Sequence, residues 1–177
     1  MSKERISGPV KEPLTLSEVK NYLRIDGEEE DALISNWISQ ARESCEGFTG
    51  KALISQIWRA SYEPAKSTLI VPGPVRELVS INHVVDEIAS PLSDVDFHLE
   101  RDNGRDYLIL DRDIKGGRVE IEFRAGFGDD WNGVPLSLRQ GMLRLVAHNH
   151  RFRDMIDAPA LPAAVVALWR PYRVMRI

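Results

Sequence analysis

The chain has 177 residues, 43% hydrophobic and 28% charged, with a net charge of −4. This length and balance predict one globular domain with a core of normal size and exclude a disordered or fibrous chain. No run of about 18 apolar residues occurs, which excludes an apolar membrane-spanning helix, and MSKERISGPVKEPLTL lacks the apolar centre of a signal peptide.

Residues 1–13, with Gly8, Pro9 and Pro13, read as a flexible arm. Thr15 to Glu18, TLSE, is a capping box. Leu16, Val19 and Leu23 then face one side of a short helix. The stretch RIDGEEEDALI, residues 24–34, poses a choice between a cation site, a disordered acidic patch and a helix start. A calcium loop needs oxygen ligands at alternate positions and a glycine midway; here Gly27 comes second, and Leu33, Ile34 and Trp37 fill later positions. Disorder fits poorly, because Leu33, Ile34, Trp37, Ile38, Ala41, Cys45 and Phe48 form one apolar stripe at helical spacing. Acids in a first turn interact favourably with the helix dipole, so they open a helix of about 20 residues that Gly50 caps. Two helices joined by a tight turn at Asp26-Gly27 make a helical hairpin. The single cysteine, Cys45, lies on the apolar stripe as a small core residue.

From Leu53 the pattern changes to strands. ISQIWRASYE, STLIVPGPV, LVSINHVVD, DFHLERDNGRDYLIL and GGRVEIEFRAGF follow in order, and Asn103-Gly104 is a preferred hairpin turn. Val119, Ile121 and Phe123 alternate with Arg118, Glu120, Glu122 and Arg124. This middle third predicts a small, mostly antiparallel β region inserted between helices. GFGDDWNGVP is a loop. Pro135 starts a helix, with Leu138, Met142, Leu145, Val146 and Asn149 on one stripe, running to about Phe152. MIDAPALP breaks it, Pro162 starts a last short helix, and Pro171 stops that helix.

No motif for a phosphate loop, a serine hydrolase or a zinc protease is present. His148 and His150, two apart on a helix, point to different faces and cannot share a metal. With His83 and His98 they read as surface or interface histidines. Asp129-Asp130 and Asp111/Asp113 sit in predicted turns, where Asp is common for backbone reasons. No catalytic residue, metal site or cofactor is expected. Residues 139–177 carry a balance of +5 and residues 1–138 one of −9, the asymmetry of an interaction surface and not of a general nucleic-acid binder. The end of the chain, Arg170, Pro171, Tyr172, Arg173, Val174, Met175, Arg176 and Ile177, mixes arginines with apolar anchors. It fits either a C-terminal strand of the β region or a core-docked end, or a segment that docks into a partner's groove.

PLTLSEVKNYLRIDGEEEDALISNWISQARESCEGFTGKAL resembles the N-terminal signature of tailed-phage head–tail connector (adaptor) proteins, which also occur in prophages and gene transfer agents. FRAGFGDDWNGVPLSLRQGMLRLVAHNHRFRD resembles the family's glycine-aromatic-glycine turn, Val-Pro helix start and following helix; HNHRF departs from the more aromatic pair expected there. The resemblance implies an α+β, mainly α-helical connector fold. Its parts are an arm at 1–13, one domain at 14–169 (helices at about 15–50 and 135–169 around a β region at about 53–125) and a docking tail at 170–177. It implies a non-enzymatic ring of about twelve copies beneath the portal of a virion or phage-like particle, made in a bacterial cytoplasm. The ring's partners are the portal protein, a tail-side connector or stopper, and DNA passing without sequence-specific binding. Within it, the tail segment is the candidate contact to the portal or a neighbouring subunit, and Glu28, Glu29, Glu30 and Asp31 the candidate channel or inter-subunit acidic face. Two readings compete with it. A small DNA-packaging or regulatory DNA-binding module predicts salt-dependent duplex affinity, and a hydrolase using Asp129, Asp130 and a histidine predicts a metal requirement.

Overall fold

The structure, a computed structural model, describes residues 2–153 and 161–174. Among the described residues it is 34% helical and 34% strand, with eight strands in two antiparallel sheets. This corrects the expectation of a mainly α-helical connector fold carrying a small β insertion: the β region matches the helices in extent and has its own buried core. The chain divides into two compact units, one of residues 1–9 and 55–126, the other of residues 10–54 and 127–177.

The β unit begins with β1 (Ser2–Ser7), where an arm was expected. Every residue of β1 is exposed, and it pairs antiparallel with β2 (Gln56–Tyr62). The other strands are β3 (Ser67–Ile70), β4 (Val75–Val85), β5 (Ile88–Pro91), β6 (Phe97–Asp102), β7 (Arg105–Leu110) and β8 (Arg118–Ala125). One sheet runs β1-β2-β8-β4-β5 and the other β3-β7-β6. Strict alternation explains the core: Val119, Ile121, Phe123 and Ala125 of β8 are buried, with Ala60, Tyr62 and Ile81 from its neighbours and Ile70, Leu108 and Leu110 from the second sheet. Asp106 of β7 fastens the second sheet to the first. Its carboxylate, 1% exposed, accepts from Val75 N at 2.9 Å and from Arg101 Nε at 2.7 Å, while Arg101 also reaches Val75 O at 2.7 Å. The opposite face of the large sheet carries paired charges, Arg59–Glu122, Arg124–Glu77 and Arg118–Glu120. Arg118 also donates to both oxygens of Glu87, and these hydrogen bonds hold the Glu87 carboxyl below its usual range.

The helical unit contains α1 (Leu16–Leu23), α2 (Asp31–Thr49), α3 (Leu136–Arg151) and α4 (Ala163–Trp169). Thr15 caps α1 by accepting from Glu18 N at 3.1 Å. The Glu18 side chain, expected to close the capping box, instead takes both bonds from Arg139 Nη2, at 2.7 and 2.8 Å. Gly50, at φ 69°, ends α2 in the left-handed conformation that glycine adopts without a Cβ clash. Ile34, Ile38, Ala41 and Cys45 of α2 pack with Leu138, Met142, Leu145 and Val146 of α3 and with Val165 and Trp169 of α4. Leu33, assigned to the stripe from its spacing, is exposed. Burial pushes the Cys45 thiol well above its ordinary range, so it stays protonated. Among the described residues no helix is long and apolar enough to cross a membrane.

Candidate functional site

The acid run forms the corner between α1 and α2. Arg24 (φ 58°) and Gly27 (φ 90°) turn the chain there. Asp31, the first residue of α2, pairs with Lys20 at 2.6 Å, and Lys20 also donates to the Gly27 carbonyl. Glu30 accepts from Arg153 at 2.8 Å and lies 3.3 Å from His150 Nε2, tying the corner to the end of α3. His150 in turn meets Trp37 edge-on, with centroids 5.7 Å apart. Two of the four acids are thus held by cations of their own chain. Glu28 and Glu29 are exposed and make no ion pair among the described residues.

The hydrogen bond from Arg153, ahead of burial and His150, sets the sign of the shift at Glu30 and lowers its carboxyl below the ordinary range. A lowered folded value means the contact stabilises fully above the ordinary carboxylate range and is lost as pH falls through and below it. Glu30→Gln is therefore expected to flatten the acid limb of the melting temperature between about pH 5 and 3, with little change at neutral pH. An acid limb identical to that of the unaltered chain would show that the pair contributes nothing.

At the other end of the 19-residue α2, about 28 Å away at 1.5 Å per residue, lies the C-terminal segment. Trp169 is fully buried, and a 3-10 turn, Arg170–Tyr172, follows it directly. The Tyr172 hydroxyl bonds Ser137 Oγ at 2.8 Å, Val174 N donates to Thr49 O at 2.8 Å, and the Arg173 guanidinium sits 5.2 Å from the Phe48 ring centroid. Tyr172 and Val174 are half-buried, while Arg170, Pro171 and Arg173 are exposed. Met175, Arg176 and Ile177 lie outside the described residues. The two sites expected from the sequence therefore occupy opposite ends of α2.

A third surface was not singled out by the sequence reading. The loop ahead of α3 presents Trp131, 38% exposed, on a fixed frame. Asp130 Oδ1 accepts from Asn132 N at 2.9 Å, and Val134 N bonds Trp131 O at 3.2 Å. Gly133 lies so close to Gly128 that a Cβ on it would fall 3.0 Å from the Gly128 Cα. Beneath the indole, the Arg139 guanidinium stacks 4.5 Å from the ring centroid, itself pinned by Glu18 and by Pro13 O at 3.1 Å. A tryptophan inside an otherwise polar turn was the available signal.

The groups considered for catalysis are otherwise engaged. Asp111 bonds His98 at 2.8 Å, Asp113 lies 3.5 Å from Lys115, and His83 Nε2 is 2.9 Å from Gly116 O. Among the described residues no cluster of three metal-binding side chains occurs.

Residues 13–91 match the family model for the phage gp6-like head-tail connector protein. Three solved chains, from gene transfer agent (GTA) particles, are similar over the whole length, each match covering 100% of this chain and 97% of the other. One, from the neck of an empty particle in C6 symmetry, is 27% identical with a TM-score of 0.83. Another, from the virion of a native particle, has the same values. The third, from the neck of a native particle in C12 symmetry, is 26% identical with a TM-score of 0.77. No curated protein matches the chain. Through the matched segment, which spans the helical hairpin and β2 to β5, and through solved counterparts covering its whole length, the chain is similar to head–tail connector proteins and to neck chains of gene transfer agent particles.

Proposed function

We propose that the protein is a subunit of a twelve-membered ring beneath the portal of a phage or phage-like particle, extending the DNA channel and docking the tail. It acts by shape and contact, without a catalytic step or cofactor. The observation that carries this reading is the full-length likeness to a neck chain whose particle was computed with C12 symmetry. In such a ring every interface is heterologous, so each copy needs two different contact faces. The partners are further copies, the portal protein and a tail-side connector or stopper, with DNA passing through the channel. Glu28 and Glu29, exposed at the α1–α2 corner, suit a channel or inter-subunit acidic face because carboxylates do not neutralise phosphate. Arg170, Pro171 and Arg173, with Met175, Arg176 and Ile177 beyond them, form the portal-side or neighbour-side contact, and Tyr172 and Val174 hold that segment to the body.

The test is co-sedimentation with DNA-filled, tailless heads. The full chain is expected to bind at a ring's stoichiometry, and a chain ending at Val174, which keeps the Tyr172 and Val174 contacts, to bind weakly or not at all. Equal binding of both forms would remove the terminal residues from the contact and leave the connector role standing. Failure of the full chain, with retention of free duplex DNA at low salt, would replace the connector by the DNA-binding module.

A further inference from the structure

From the loop ahead of α3 and the outward face of that helix, we infer that Trp131 of one copy docks on the α3 stripe of the next, against Leu136 and Arg144. The inference rests on the ring reading and names the two faces that the ring requires.

The donor side is a preorganised anchor. The Trp131 indole rests on Arg139, and the close Gly128–Gly133 approach fixes the backbone of the loop that carries it, so less conformational entropy remains to be lost on contact. Tryptophan, with tyrosine and arginine, is enriched among the residues that carry most of an interface's binding energy. Asp130 beside it adds a negative charge. The receiving side has the complementary properties. Leu136 is 73% exposed, an apolar side chain with no packing role of its own. Arg144, two turns on, is exposed and makes no ion pair among the described residues. Arg151 continues the stripe, its guanidinium 5.3 Å from the Phe152 centroid.

The two sides diverge, as a heterologous contact needs. At about 100° per residue, Leu136 points roughly 60°, Arg151 about 120° and Arg144 about 140° around α3 from Arg139, the residue on which Trp131 rests. The inward side is occupied by Leu138, Met142 and Leu145. One copy therefore offers the indole in one direction and the Leu136–Arg144 stripe in another. On contact the indole covers Leu136 and meets the Arg144 guanidinium through its face, while Asp130 lies near the arginines of the stripe.

The experiment uses full-length chains on tailless heads. Trp131→Ala is expected to raise the concentration needed for half-saturation about thirtyfold, the equivalent of roughly 2 kcal/mol at an anchor. Arg144→Glu should raise it about tenfold by placing an acid against Asp130. Both positions are at the surface, so melting temperatures should stay near that of the unaltered chain. In a second arm, chains carrying Trp131→Cys are mixed on the heads with chains carrying Arg144→Cys and treated with a short bis-maleimide. Cross-linked dimers from the mixture and not from either variant alone are expected, with buried Cys45 unreactive. Normal binding by both variants with no cross-link would overturn the inference while leaving the connector role intact. Failure of the unaltered chain to bind heads would sink both.

Discussion

Trp169→Ala is expected to lower the stability of the helical unit by about 3–5 kcal/mol, the range for removing a fully buried indole. The side chain is 0% exposed, tilts against Phe48 at 6.1 Å between centroids, and donates from Nε1 to Leu138 O at 3.1 Å. Its seat exists because position 141 is glycine. A Cβ there would fall 2.8 Å from Cδ1 and 2.9 Å from Cε2 of the indole, and closer still to Nε1. Gly141→Ala should therefore push Trp169 off α3 at a cost of about 1–3 kcal/mol for overpacking, despite the better helix propensity of alanine. Trp169→Phe keeps most of the apolar burial and gives up one hydrogen bond, so about 1 kcal/mol is expected. Urea unfolding followed by helical circular dichroism measures all three. A Gly141→Ala chain as stable as the parent would show that α4 slides at no cost, and the seat described above would be wrong. The consequence reaches the C-terminus, because the turn holding Tyr172 on Ser137 starts one residue after Trp169. Loosening the indole frees the segment proposed to meet a partner. A binding defect in Trp169→Ala would thus be indirect, whereas the chain ending at Val174 tests contact alone.

Where local chemistry decides the structure, the sequence was a good guide. The capping threonine, the Asp26-Gly27 corner, Gly50 past the end of α2, Asn103-Gly104 between β6 and β7 and Pro135 ahead of α3 are each short-range signals, and each marks an observed boundary. Strict alternation in GGRVEIEFRAGF likewise identified β8 and its buried face. Non-local pairing was not legible. SKERIS has no apolar alternation, because an edge strand exposed on every residue needs none; its partner lies fifty or more residues away. The β4–β5 turn is built on Asp86 and Glu87 at φ 49° and 64°, a left-handed pair in which Asn or Gly is the usual signal, so β5 stayed hidden. Missing two of eight strands and the pairing of sheets through Asp106 made the β unit look like an insertion and the fold mainly helical. The acid run was legible as a helix start, but its division into paired Glu30 and Asp31 and exposed Glu28 and Glu29 depends on Arg153 and Lys20 reaching it in space.

Arg42→Ala is expected to cost about 3–5 kcal/mol, the range for removing one partner of a buried ion pair. The guanidinium side chain is 6% exposed and faces Glu12 at 2.9 Å, Glu46 at 3.1 Å and, more weakly, Glu43 at 3.5 Å. Burial alone would make Arg42 easier to deprotonate, but the carboxylates, Glu12 foremost, outweigh it and hold the charge more firmly than usual. The arginine matters more than either close acid because Glu12 and Glu46 each have another donor. Glu12 also accepts from Ser39 Oγ at 2.9 Å, and Glu46 from Leu53 N at 2.9 Å. Without Arg42, two part-buried carboxylates are left facing each other. Without Glu12, Arg42 keeps Glu46, so Glu12→Gln should cost only about 1–2 kcal/mol. Arg42→Met separates packing from charge: it preserves the buried aliphatic stem yet leaves the acids opposed, so its loss should approach that of alanine. A double-mutant cycle of Arg42→Met with Glu12→Leu should recover part of that loss, since it removes one of the two opposed carboxylates and leaves Glu46 with its bond from Leu53 N. If Arg42→Ala costs less than about 1 kcal/mol, water screens the cluster as it does at a surface pair. In that case the segment entering α1 is held by Leu14, 2% exposed, and not by the arginine.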